Sequence, residues 1–177
     1  MSRPKPGLGH ALPGAGLVAL FAVIVVVLVA NVSRAPRERP RLNELPVPAA
    51  LAGAPIVTSL RGPAALAEVS RLHGKTIEVV DAAVARYRDG STVWISASSS
   101  ALDASRLFWR MNRRMANGTQ VFSTPRPQEV GGRPVFVTEG IGQVHYYYQS
   151  GARVIWLAVP PGPHAGSAVE ALLRLYP

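Results

Sequence analysis

One stretch constrains this chain more than any other. Gly16–Val32, GLVALFAVIVVVLVANV, carries no charge, and twelve of its seventeen residues are Leu, Ile, Val or Phe. A helix rises about 1.5 Å per residue, so roughly 20 apolar residues cross a bilayer core of about 30 Å. The charge-free window around this stretch extends from Pro6 to Ser33. At roughly −0.3 to −0.6 kcal/mol per large aliphatic or Phe residue, insertion is favoured by at most about 4–7 kcal/mol. The β-branched run Val23–Val27 weakens a helix in water, but lipid enforces one because unpaired backbone groups there are costly. The expectation is a single transmembrane anchor over residues 15–32, preceded by a tail at 1–14, placing the protein in the cell membrane.

A cleaved signal peptide shares the basic start and apolar middle. Cleavage after Ala30 puts Leu28 where a small residue is needed, and cleavage after Ala35 leaves Pro36 beside the cut. An uncleaved signal anchor fits better. Its orientation is drawn two ways. Arg34, Arg37, Arg39 and Arg41 follow the span against Arg3 and Lys5 before it, which by the positive-inside rule holds the C-terminal side in the cytoplasm. Long domains translocate largely regardless of such charge, and a short basic tail suits a domain displayed outside. The extracytoplasmic orientation is the one adopted.

Residues 33–60 contain Pro36, Pro40, Pro46, Pro48 and Pro55, a density that favours an extended, semi-rigid spacer rich in Pro and Arg. Ile56–Leu60 has the composition of a first short strand. The remaining residues, 61–177, suffice for one domain with its own core. The chain has no cysteine, which removes disulfides, thiolate metal sites and cysteine nucleophiles together. Its net charge is +9, carried almost wholly by arginine, so anionic lipid, anionic polymer and nucleic acid are the partners such a surface attracts.

Within 61–177 the punctuation is regular. Gly62-Pro63 opens a helix that Gly74 is placed to close. Thr76–Arg88 reads mostly as strand, turning at Asp89-Gly90 into Thr92–Ser98. Ser100 and Asp103 form a capping box for a helix ended by Asn117-Gly118. Four strand-like segments follow: Gln120–Thr124, Pro134–Thr138, Gln143–Gln149 and Arg153–Val159, with turns at Gly131-Gly132 and Ser150-Gly151. Ser167 and Glu170 suggest a capping box for a last helix. This order predicts an α+β domain: an antiparallel sheet with helices packed on one face.

Chemistry-bearing constellations are sparse. His73, His145 and His164 show no HxH, HxxxH or HExxH spacing, so no metal ligands are assigned. The acidic residues are scattered, and Ser98-Ser99-Ser100 lacks a nucleophile elbow or a base. No nucleotide-binding glycine motif is present. The sequence therefore points to a non-enzymatic domain with no cofactor and no catalytic residues. An envelope hydrolase is the residual alternative, requiring a deep pocket of clustered polar groups.

Two surfaces stand out. On a helical wheel, Arg106, Arg110, Arg113 and Arg114 oppose Leu107, Phe108, Met111 and Met115, and Trp109 falls with the arginines. Arg106, Trp109, Arg110 and Arg113 are the predicted contact with an anionic lipid or polymer, or with a protein partner; a merely solvated helix is the plain alternative. The same residues could stack on nucleic acid, a reading disfavoured if the domain lies outside the cell. In the Tyr146–Tyr148 hairpin, alternation places His145, Tyr147 and Gln149 on one face, a predicted ligand or partner face. Ordinary sheet packing is its alternative.

Overall fold

The computed structural model describes residues 45–73 and 77–177. The expected tail, the anchor at 15–32, the spacer as far as residue 44 and the closing Gly74 lie outside the described residues. No helix among the described residues is long and apolar enough to cross a membrane.

The elements run β1 (Ala50–Leu51), β2 (Ala54–Arg61), α1 (Gly62–His73), β3 (Asp81–Tyr87), β4 (Thr92–Ala97), α2 (Ala101–Met115), β5 (Arg126–Val130), β6 (Arg133–Gly140), β7 (Gln143–Ser150), β8 (Arg153–Val159) and α3 (His164–Leu175). All eight strands join one sheet in the order β1-β2-β3-β4-β8-β7-β6-β5, and every pairing is antiparallel. The two halves of the chain each lay down four neighbouring strands, and they meet where β4 pairs with β8. The α+β class is as expected.

The helices do not share one face, and the strand registers show why. Ala85, Val93, Leu157, Tyr146 and Val137 are successive cross-strand partners, and they lie in one core with Ala168, Val169 and Leu172 of α3. One residue along, Val84, Trp94, Trp156, Tyr147 and Phe136 form the neighbouring row, which faces the other way. That second face receives α1, whose Ala65 and Val69 pack on Ala82 and Val84, and α2, whose Phe108 meets Phe136 and Tyr147. Packing of all helices on one face is thus corrected. Ala82–Ala85 on β3 and Leu157 with Ala158 on β8 are buried irrespective of parity; strands apolar on both sides need cover on both.

The domain also begins earlier than residue 61. Leu45 and Leu51 are fully buried in the α3-side core, and β2 pairs with β3 along its length. Backbone carbonyls of this proline-rich segment remain available, and side chains distant in sequence bind them. Tyr176 donates its hydroxyl to Pro46 O at 2.6 Å, Tyr87 donates to Pro48 O at 3.0 Å, and Arg61 donates to Leu45 O. Residues 45–60 are therefore part of the sheet domain and not spacer.

Local signals are met where a specific atom satisfies the backbone. Ser100 Oγ accepts from Asp103 N, the capping-box bond, and Gly118 takes a positive φ of 74° just beyond α2. The last helix departs from expectation. It starts at His164 behind Pro163, so Ser167 lies inside it and makes no cap. Proline holds φ near −65° and starts the helix a turn sooner. Gln120–Thr124 forms only an isolated bridge, Phe122 to Gly140, and the strand is β5 instead.

Candidate functional site

Helix α2 carries its charges outward because its other side is committed to the sheet. Ala104 and Met115 are buried, while Phe108 sits edge-on to Phe136 at 5.8 Å and to Tyr147 at 5.9 Å. Polar contacts complete the seat. Tyr147 donates its hydroxyl to Asn112 Oδ1 at 3.0 Å, and Gln149 Nε2 donates to Ser105 Oγ at 2.9 Å and to Ala101 O at 3.2 Å. With that side fixed, Arg106, Trp109, Arg110 and Arg113 face solvent together, as the wheel placed them. Trp109 is 55% exposed, a large value for an indole that has a sheet within reach of its own helix.

The four residues differ in what already holds them. Arg106 pairs with Asp103 at 3.3 Å and Arg110 with Glu78 at 3.3 Å, both exposed pairs of little net strength. Arg113 and Arg114 have no acidic partner among the described residues. Hydroxyl donation from Ser100 and Ser99 to the Asp103 carboxylate, with Arg106 beside it, holds that carboxyl below its usual range. Glu78, Ser99, Asp103, Arg106 and Arg110 together line a cleft of about 280 Å³. That is below the usual range of roughly 300–1,000 Å³ for a small-molecule site, and its charges already pair with one another. No histidine lines it.

The second predicted face, His145, Tyr147 and Gln149, is assembled on one side of β7 but is not open. Tyr147 is fully buried and His145 only 3% exposed; Gln149 is half-buried under α2. Trp156 stacks on Tyr147 at 4.7 Å with an interplanar angle of 8°, and Phe136 stacks on its other side at 5.4 Å. His145 is held at both nitrogens. Trp156 Nε1 donates to its Nδ1 at 3.0 Å, which leaves the proton on Nε2 to be donated to Gly140 O at 2.9 Å. Burial lowers its pKa, opposed by the Gly140 carbonyl, so the ring is a neutral structural bridge. Burial likewise pushes the Tyr147 hydroxyl up to about 12. These three residues, read from sequence as a ligand or partner face, are covered by α2 and by Phe122, whose ring lies 5.0 Å from that of His145.

Gly140 permits this closure. A side chain there would strike Val121 O and the Phe122 ring, so only glycine lets the 119–123 loop seal the His145–Trp156 pair. One further residue belongs with the outward face and was not singled out from sequence. Leu102, 53% exposed, lies on the stripe of Arg106, Trp109 and Arg113, and Arg114 flanks it. Leu102 was legible from its spacing of four, seven and eleven residues to those three. Among the described residues no group of three His, Asp or Glu is close enough to hold a metal ion.

No family model matches the chain, and no curated protein or solved structure is significantly similar to it.

Proposed function

We propose that this chain is a single-pass, membrane-anchored protein that displays a non-enzymatic α+β binding module outside the cytoplasmic membrane, with the outward face of α2 as its contact surface. The anchor comes from the apolar segment at 15–32. The observation that carries the binding role is the exposure of Trp109 among Arg106, Arg110 and Arg113 on a helix whose opposite side packs on the sheet. An indole left in water costs apolar burial that the adjacent sheet could have supplied, and arginine beside it favours an anionic partner.

Topology is tested first. The chain has no cysteine, so a single cysteine added after Pro177 can be labelled in intact cells without background. Labelling from outside by an impermeant maleimide is expected; protection until lysis overturns the orientation. Arg110→Glu with Arg113→Glu is expected to leave near-ultraviolet circular dichroism unchanged and to abolish anionic binding. Unchanged binding would mean that this face is only solvated.

A second reading, a binder of nucleic acid or another anionic polymer, is favoured by Arg113 and Arg114, which lack acidic partners among the described residues. Its sign is a steep fall of binding with salt.

A further inference from the structure

We propose that the outward stripe of α2 docks on the headgroup layer of a bilayer containing anionic phospholipid. This docking rests on the anchored-module reading above and names the partner of its surface. The stripe is composed of Leu102, Arg106, Trp109 and Arg113, which recur at i, i+4, i+7 and i+11 and so stand in one line about 16 Å long. Arg110 and Arg114 flank it on one side.

Three features select a lipid surface over a polyanion. Trp109 and Leu102 are more than half exposed in the same line as two arginines. Indole settles at headgroup depth, and guanidinium pairs with phosphate in a fork geometry. Leucine gains by entering the acyl boundary and gains nothing on a phosphodiester chain. Asp103 and Glu78 also lie beside Arg106 and Arg110, so the surface is mildly basic, suited to a mixed headgroup layer and poorly suited to a dense polyanion.

Two apolar residues and a few arginines bind a bilayer weakly when free in solution. A tether changes that. Residues 33–44, between the apolar segment and the first described residue, span at most about 40 Å when fully extended. A linker of that length holds the surface at an effective concentration on the order of millimolar, so weak contacts suffice.

The test uses the full chain reconstituted into vesicles of phosphatidylcholine alone or mixed with phosphatidylglycerol, each with brominated acyl chains. The chain has three tryptophans, none of them in residues 15–32, and Trp94 and Trp156 are half-buried in the domain. The emission lost in Trp109→Phe therefore defines the signal of Trp109. That signal is expected to be quenched several-fold more with phosphatidylglycerol than without it. Arg110→Glu with Arg113→Glu should return quenching to the phosphatidylcholine level, and Leu102→Ser should lower it part of the way. Equal quenching in both lipids, or none in either, overturns the docking. So does competition by a single-stranded oligonucleotide with no effect of Leu102→Ser, which assigns the surface to polyanions. Extraction of the vesicles with alkaline carbonate judges the anchor separately. If the chain is released, the anchored reading fails, and quenching by added vesicles decides the surface alone.

Discussion

Helices α2 and α3 cover opposite faces of one sheet, and they do so by different means. Of the twelve residues of α3, Ala165, Ala168, Val169, Leu172 and Leu173 are buried, all in the main core. Of the fifteen of α2, only Ala104 and Met115 are buried, and the rest of its seat is the Phe108 ring and a set of hydrogen bonds to Tyr147 and Gln149. Apolar burial gives roughly 25 cal/mol per Å², so α3 contributes more to the stability of this sheet than α2 does. Helix α2 is held in orientation, and orientation is what a contact surface needs. The residue that a stabilising helix would bury, Trp109, is the one α2 leaves outside.

The sharpest way to break this comparison is to remove one contact between each helix and the sheet. Leu172→Ala removes a fully buried side chain and is expected to cost about 2–5 kcal/mol in urea unfolding. Tyr147→Phe on the α2 side leaves Asn112 without its donor and is expected to cost about 1 kcal/mol. A Leu172→Ala effect no larger than that of Tyr147→Phe contradicts the division of labour.

A pH profile sharpens the same contrast beneath α2. The pKa of His145 is lowered in the folded state, so below the ordinary histidine value of about 6.5 the unfolded chain takes up a proton that the folded one refuses. Its contribution is fully present above that value and is lost as the pH falls from there toward the lowered folded value. His145→Gln should flatten this part of the stability profile relative to the natural chain, measured by urea midpoints as the pH is lowered from neutrality. Parallel profiles for the two proteins would show that His145 does not carry the effect.

The smallest expected effect is on the outer face. Arg113→Glu has no ion pair to break among the described residues and should change stability by less than about 0.5 kcal/mol. A larger loss would show that the arginine serves the fold.

What was legible in the sequence follows the range of the interaction that decides it. Turns set by a local glycine were readable: Gly90, Gly131, Gly132 and Gly151 all adopt positive φ between paired strands. The α2 cap was readable because Ser100 and Asp103 are three residues apart. The start of the domain was not, because prolines that argue against a ladder locally are held from across the fold, Pro48 O by Tyr87 and Pro46 O by Tyr176, with Arg61 on the neighbouring Leu45 O. Strand β5 was hidden by Pro127, which an edge strand tolerates. Counting from the Val130–Arg133 pair at the hairpin turn, its missing N–H falls on the side away from β6.

The site shows the same split. The outward arginines and Trp109 follow from helical periodicity alone, and alternation correctly grouped His145, Tyr147 and Gln149. That α2 lies over this group depends on a crossover to a sheet half laid down later in the chain, which periodicity does not encode. One trace of it was present: Ser105 and Asn112 stand on the sheet-facing side of α2, where polar residues imply polar partners beneath. The apolar runs at Ala82–Ala85 and Val154–Val159 similarly carried the signal for helices on both faces.

The central claim is that α2, and not α3, presents the contact surface of an anchored module. Because the chain lacks cysteine, one environment-sensitive fluorophore can be attached at Arg113→Cys on α2 or at Glu170→Cys on the exposed side of α3. In the full chain, in vesicles containing phosphatidylglycerol, the emission at position 113 is predicted to shift to the blue while that at position 170 stays at its value in water. Equal shifts at both positions, or water-like emission at both, would contradict it.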